Sequence, residues 1–265
     1  MSAFTIVVPQ IPGYPHTEAF RECAESVMWG LRALGHTAEL GTQPWPSTRA
    51  ILFGVHCLSR KEAQALPPDS IVYNLEPVAS DLFPVAVARA LQARTVWDYS
   101  PEGVERWTEE GKRAELVPLG FAPEMQRLTL REPTVDVLFY GSLNARRQRI
   151  LEDLGRRVRL KVLFACYGAE RDAWIEESHL VLNLHYYEGA PLEEPRIAYL
   201  LANRIAVVSE GPVGNHGIIA SRYDNLVSTC CELLERPQVL RLWADKGHRV
   251  FARSLESEIL ARALG

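Results

Sequence analysis

The chain has 265 residues, 47% hydrophobic and 23% charged, proportions of an ordinary globular protein that exclude a disordered, collagenous or disulfide-scaffold chain. Its formal net charge of -4 supplies no overall basic field for nucleic acid, though a local basic groove stays open. Five cysteines, Cys23, Cys57, Cys166, Cys230 and Cys231, form no CxxC pair and have no histidine at metal-ligand spacing, so they read as buried thiols in a reducing compartment.

The first apolar run is cut by Pro9, Pro12 and Gly13 and lacks a basic leader, and no stretch approaches the ~18 apolar residues of a membrane span. A cytoplasmic protein with no integral membrane segment is expected. Short β-branched runs are predicted as strands over residues 4–9, 50–55, 70–75, 95–99 and 115–117. Helices are predicted over 17–34, where Phe20, Cys23, Val27, Leu31 and Leu34 recur at helical spacing, over 81–92, and over 101–111 behind the cap Ser100-Pro101. The tryptophans Trp29, Trp107, Trp174 and Trp243 fall at apolar helical spacing and read as core.

Residues 121–134 are polar, hold Pro123 and Pro133, show no period, and read as a linker between domains at 1–120 and 135–265. Alternation then resumes: strand 135–140, helix 145–157, strand 160–165, helix 170–177, strand 180–186, helix 196–203, strand 205–208, and a mostly helical remainder interrupted by Pro237. Strands alternating with helices in two successive series predict an α/β chain of two Rossmann-like, doubly wound domains facing a cleft. No GxGxxG follows the first strand, and no GxxxxGK[ST] or GxSxG occurs, so the usual dinucleotide, P-loop and hydrolase enzymes of such sheets lack their defining turns.

Chemistry concentrates at the ends of the second series. In Tyr140-Gly141-Ser142-Leu143-Asn144 a glycine follows a strand and precedes a helix, where free N–H groups, the Ser142 hydroxyl and the helix dipole suit a phosphate. Arg146 and Arg147 occupy a first helical turn that ordinarily prefers acids, which again suits an anion. The alternative is a plain turn with a solvated basic face. His185-Tyr186-Tyr187-Glu188 ends another strand, and the next loop delivers Glu193, Glu194 and Arg196 to a helix head. A carboxylate there accepts from sugar or ribose hydroxyls and an arginine pairs with diphosphate. Alternatively, the acids merely favour the helix N-terminus and Arg196 is an internal ion-pair partner.

The segments FYGSLNARRQRIL, YGAERD…HLVLNLHYYE and RIAYLLANRIAVVSE resemble the donor-binding domain of GT-B glycosyltransferases, in particular the small bacterial glycosyltransferase family 1-like proteins, over about the last half of the chain. The resemblance implies a compact GT-B fold and transfer of a sugar from a nucleotide-diphosphate sugar to a hydroxyl acceptor, which the sequence leaves open among glycan, protein, small molecule and modified nucleic acid. It implies donor contacts from Gly141, Ser142, Asn144, Arg146, Arg147, Tyr167, Gly168, His185, Tyr186, Glu193 and Arg196, with Glu188 among the reacting groups. Where many retaining members carry a second glutamate this chain has Tyr199, so retaining chemistry and the usual ribose contact lose support.

On the acceptor side, His16, after the first strand, is a candidate base because a neutral imidazole takes a hydroxyl proton; it is also an ordinary residue of a proline-rich turn. Glu76 and Asp98 end two further strands as reserve bases. His216, in a glycine-rich loop, is either part of a lid or an ordinary connection. No DxD-like triplet appears in a suitable loop, so no metal and no cofactor beyond the nucleotide sugar as co-substrate are expected. A catalytically silent GT-B-like scaffold and a nucleotide-sugar epimerase are the competing readings.

Overall fold

The computed structural model describes residues 1–44, 47–77, 80, 95–190, 192–211 and 217–265; the helix predicted at 81–92 and the loop bearing His216 lie outside the described residues. The chain divides into two compact units, Met1–Glu124 with Ser254–Gly265, and Met125–Arg253.

In chain order the first unit contains β1 (Ala3–Val7), α1 (Arg21–Ala33), β2 (Thr37–Gly41), β3 (Arg49–Leu52), α2 (Arg60–Ala65), β4 (Ile71–Asn74), β5 (Thr95–Asp98), α3 (Pro101–Glu109) and β6 (Arg113–Leu116). Its six strands run parallel in the order β2-β1-β3-β4-β5-β6. The central strands are apolar on both faces, as a sheet covered by helices requires; β3 and β4 read RAIL and IVYN. The helix expected at 17–34 is split, with a 3-10 turn over Pro15–Phe20 leading into α1, because Pro15 opens the turn and residue 20 caps the helix without a side-chain bond. Two elements went unpredicted. Strand β2, TAELG, is an edge strand with Ala38 buried between exposed Thr37 and Glu39 and no apolar run to read, and α2 is a six-residue helix held by a capping box between Ser59 and Glu62.

The second unit contains β7 (Val135–Tyr140), α4 (Ala145–Gly155), β8 (Leu160–Leu163), α5 (Gly168–Glu176), β9 (Ser178–Asn183), α6 (Glu194–Ala202), β10 (Val207–Glu210), β11 (Ile219–Ser221), α7 (Leu226–Leu234) and α8 (Pro237–Phe251). Its five strands are also parallel, in the order β11-β10-β9-β7-β8. The core joins Val137, Phe139, Leu180, Leu182 and Val208 of the strands to Leu151 and Leu154 of α4 and Leu226 of α7. Strand β9 stops at Asn183, three residues short of the expected 186, and β10 runs on to Glu210. These two shifts move His185 and Tyr186 off the sheet and put Glu210 at its rim.

Both sheets reverse their winding once. The chain passes from β1 to β2 on one side and to β3 on the other, and likewise from β7 to β8 and then to β9. Open α/β sheets bind ligands beyond the strand carboxyl ends at such reversal points. The sequence therefore aims two loops at each crevice: those after β1 and β3 in the first unit, and those after β7 and β9 in the second.

Two segments depart from the boundaries read in the sequence. Most of the 121–134 stretch is fastened to the second unit: the Arg127 and Leu128 amides both donate to Asn203 Oδ1, at 2.8 and 2.9 Å, and the Asn203 amide donates to the Met125 carbonyl. The last helix, α9 (Glu256–Leu264), belongs to the first unit instead of the C-terminal one. It docks on α1, with the fully buried Glu256 side chain accepting from the Gly120 amide at 2.6 Å and from Ser26 Oγ at 3.4 Å. Gly30 of α1 makes room for it: a Cβ there would lie 2.7 Å from Glu256 Cγ and 2.8 Å from Leu260 Cδ1.

Among the described residues Glu256 Oε1 has no hydrogen-bond partner, and burial pushes the carboxyl from 4.5 up to about 7. The folded state therefore holds this proton more tightly than the unfolded chain. The contribution is complete below about pH 4.5 and is lost as pH rises through about 7. Urea midpoints measured between those limits should fall by the equivalent of about 2–3 kcal/mol, and Glu256→Gln should flatten that slope. A wild-type profile already flat in this window would contradict the assignment. Gly30→Ala should weaken the same docking by about 1–3 kcal/mol, read as a lower urea midpoint at constant slope.

Candidate functional site

Three arginines gather where β7 and β9 end. Strand β7 finishes at Tyr140, and Gly141 turns the chain with φ +143°, a conformation that favours glycine. A Cβ at Gly141 would sit 3.0 Å from Arg196 Nη2 and 3.4 Å from Arg147 Nη1, so the bare backbone lets two guanidinium groups approach the turn. Asn144 caps α4 by accepting from the Arg147 amide at 2.9 Å, and its own Nδ2 donates to the Tyr186 carbonyl at 2.8 Å, tying the turn after β7 to the loop after β9.

Arg147 does not point to solvent. It is buried, donates through Nε to the Leu184 carbonyl at 2.9 Å and through Nη1 to the Ser142 carbonyl at 2.8 Å, and reaches Glu193 Oε1 at 3.5 Å. Burial, together with the Arg196 charge, lowers its pKa to about 10. It stays charged at neutral pH, in a place that disfavours more positive charge. Arg146 lies over the Tyr223 ring at 4.1 Å and donates to the His185 carbonyl at 3.0 Å, and its guanidinium makes a two-pronged pair with Glu210. Its charge is largely answered by Glu210, a residue that sequence reasoning missed because it was placed beyond the strand.

Glu193 organises the rest. Its Oε2 accepts from His185 Nδ1 at 2.8 Å and from Asn183 Nδ2 at 2.7 Å. Those hydrogen bonds and the Arg196 and His185 charges outweigh burial and hold the carboxyl down at about 2. An ionised Glu193 only accepts, so His185 Nδ1 carries the proton of that bond. Asn183 is the second residue the sequence did not flag. Its amide also donates to Ser209 Oγ at 3.0 Å, its partner in the β9–β10 register, while Asn183 Oδ1 accepts from Arg196 Nη1 at 2.9 Å. Arg196 therefore bonds a neutral amide and stacks over Tyr140 at 5.0 Å, with its second nitrogen beside Gly141. Three guanidinium groups face two carboxylates, Glu193 and Glu210, around a glycine turn and the N-terminus of an eleven-residue helix. The arrangement can neutralise an added anion.

The remaining predicted residues are less central. Ser142 is exposed and contributes its carbonyl to Arg147. Tyr186 lies 5.2 Å beneath the Arg147 guanidinium, and Glu188 is exposed within electrostatic range of Arg146. Tyr167 and Gly168 open α5 after β8 and are not part of the Glu193 network described above. Tyr199 is buried; its hydroxyl donates to Asp172 Oδ2 at 2.8 Å and accepts from Arg127 Nε at 3.1 Å, so it acts as a fastening for residues 125–128.

In the first unit Asp98, the reserve base read from the sequence, is held by four donors. It is fully buried and accepts from Asn74 Nδ2, the Ser100 amide and hydroxyl, and Trp107 Nε1, while its side chain fills the space that a Cβ on Gly103 would need. These partners make it a fastening of β5 to β4 and α3. Glu76 is mostly covered, accepts from Ser80 Oγ at 3.2 Å, lies 3.8 Å from His56 Nε2, and has its pKa raised by burial. His16 packs edge-on against Tyr14 at 5.0 Å.

No family model matches the chain, and no curated protein does. Solved structures do. AviGT4, a glycosyltransferase involved in avilamycin A biosynthesis, aligns over 100% of this chain and 96% of its own at 14% identity and a TM-score of 0.56. A glycosyltransferase from Rickettsia africae ESF-5 aligns over 99% and 96% at 10% identity and a TM-score of 0.52. TarM aligns over 91% of this chain but 57% of its own, at 12% identity and a TM-score of 0.54. The chain has the α/β fold of the GT-B glycosyltransferases, as the resemblance in its second half implied. Among the described residues no helix is long and apolar enough to cross a membrane, and no group of three or more His, Cys, Asp or Glu side chains is placed to hold a metal ion.

Glu193 sets an acid limit on this network. Its pKa falls from 4.5 in the free residue to about 2, so its contribution is present above about pH 4.5 and is lost as pH drops through about 2. Glu193→Gln should cost about 2–4 kcal/mol at neutral pH, since it leaves buried Arg147 less compensated, and should flatten the acid limb of the urea-midpoint profile. A neutral-pH midpoint equal to wild type would refute this role.

Proposed function

We propose that the second unit binds the diphosphate of a nucleotide sugar at the Gly141 turn, and that the protein transfers the sugar to a hydroxyl acceptor. The observation that carries this reading is the convergence of Arg147 and Arg196 on a glycine whose missing Cβ leaves the approach open. In such a transfer the acceptor oxygen bonds the anomeric carbon while the bond to the diphosphate oxygen breaks, the diphosphate leaves with the electron pair, and the acceptor's hydroxyl proton passes to a base or to the departing diphosphate. Pre-aimed arginines and the α4 N-terminus stabilise that growing charge without reorganisation. Because these groups already supply positive charge, the reading includes no metal and no cofactor besides the nucleotide sugar. The GT-B likeness supports it, and TarM has been crystallised with UDP and alpha-GlcNAc-glycerol, which makes UDP the first nucleotide to try. A cytoplasmic setting fits the free thiols of all five cysteines.

One observation favours a silent, ligand-holding relative instead: Tyr199, at the position of the expected second glutamate, is spent on Asp172 and Arg127. Thermal unfolding with UDP, GDP and TDP separates the two readings, because a ligand that binds only the native state raises the midpoint. Under the transferase reading one diphosphate raises it, EDTA leaves both the rise and nucleotide-sugar turnover intact, and Arg196→Gln weakens binding about 10- to 100-fold. A rise without turnover of any nucleotide sugar favours the silent relative. No rise with any of the three nucleotides removes the nucleotide reading, and turnover lost in EDTA and restored by Mg²⁺ removes metal independence.

A further inference from the structure

Strand β8 ends the second sheet, with β7 on one side of it and, among the described residues, no strand on the other. Doubly wound sheets of the 3-2-1-4-5-6 order carry a further strand at that place. Here the chain runs from β8 through α5 straight to β9 on the far side of β7, so the place stays open.

Successive residues of a strand send their amide and carbonyl to alternate sides. The Arg159 and Leu163 carbonyls accept from the Asp136 and Gly141 amides, at 2.9 and 3.0 Å, which turns the odd-numbered residues of β8 toward β7. The amides and carbonyls of Leu160 and Val162 therefore point to the open side. Natural sheet edges are commonly guarded by charge, but this one is apolar. Val162 is 37% exposed, Phe164 just past the strand is 59% exposed, and Leu143 in the turn after β7 is 47% exposed. The nearby cations are turned inward: Lys161 Nζ lies 3.8 Å from the centre of the Trp174 ring on α5, and Arg159 Nε and Nη2 both donate to Asp136 Oδ1 on β7, at 3.1 and 2.6 Å. The other edge strands differ. Strand β2 presents Thr37 and Glu39, β6 carries the Arg113–Glu115 ion pair beside Leu116, and β11 exposes only Ala220.

An antiparallel copy of the same strand fits this edge. With a two-fold axis at Val162, that residue faces its own counterpart and exchanges both backbone hydrogen bonds with it, while Leu160 faces Phe164 of the other copy. The side chains that meet are then Leu with Phe, Val with Val and Phe with Leu, apolar throughout. Moving the axis to Lys161 would set two lysines opposite each other, which is unfavourable. One half of the strand thus complements the other half, as a contact between identical surfaces requires.

We propose that β8 is a dimerisation edge, at which two copies of the chain pair antiparallel about Val162 and join their five-stranded sheets into one. The contact is short, so the dimer is reversible, with Kd on the order of 10–100 µM. It uses no residue of the arginine network and does not rest on the diphosphate reading.

Sedimentation velocity of the full chain between about 1 and 500 µM tests this, and the wild type should pass from monomer to dimer across that range. Val162→Glu and Val162→Lys should each weaken the dimer about tenfold or more, because residue 162 then meets its own charge across the axis. Mixed in equal amounts, the two variants should dimerise about three- to tenfold more tightly than either alone, since glutamate now meets lysine. Position 162 is exposed, and urea midpoints at about 1 µM that match the wild type show that each variant still folds. A wild type that stays monomeric at about 500 µM, a dimer that both variants keep, or a mixture that sediments like its components overturns the proposal.

Discussion

The ionised Glu193 carboxylate is the tie on which the second unit's arginine network depends. It sits just ahead of α6, yet its bonds run to Asn183 and His185 at the end of β9 and to Arg147 in the first turn of α4. Three segments are thus fixed by one group. Desolvating a carboxylate costs several kcal/mol unless hydrogen bonds and opposite charge return it, and here both do. The same bonds leave Asn183 with its carbonyl turned to Arg196. Arg196 is oriented by a neutral partner and acts on Glu193 through its charge, in contrast to Arg146, which pairs directly with Glu210.

This division explains why adjacent arginines differ in role. Arg146 and Arg147 are consecutive on α4, so they project about 100° apart around the helix. One is turned to the β10 rim and Tyr223, the other into the protein beneath the Gly141 turn. A binding site needs its charges aimed before the ligand arrives, because ordering a flexible arginine costs side-chain entropy each time. Burying Arg147 against two backbone carbonyls meets that cost during folding.

Much of this was legible in the sequence, for physical reasons that also mark the limits. The β7 and β9 runs are apolar on every residue that packs, and the glycine, asparagine and paired arginines after β7 announce a capped helix start, so Gly141, Asn144 and Arg147 could be found by type and spacing. The partners could not. Asn183 was read inside a strand carried on to 186 and Glu210 beyond one stopped at 208, and their partners follow from which strands are neighbours, which one-dimensional periodicity does not encode. Asp98 shows the same limit: the sequence marks a strand-end carboxylate but not that Trp107, nine residues on, donates to it. Likewise β2 and β11 are edge strands, TAELG and IAS, with too few apolar residues to stand out as strands in the sequence, and α9 carries no mark of which unit it covers until Gly30 and Glu256 are seen together.

The two sheets also show what topology decides and what it leaves to the loops. Each reverses its winding once, and each thereby opens a crevice flanked by the loops after its first and third strands in chain order. Geometry guarantees the crevice but says nothing about charge. In the second unit those loops bring arginines, a capped helix and a glycine bare enough for guanidinium groups to reach it. In the first they bring Tyr14, His16, His56 and Cys57, with the charge of His56 suppressed by burial. The same winding thus carries loops of different charge, because strand order is set by backbone pairing and burial within the sheet and leaves the residues beyond the strand ends free to vary.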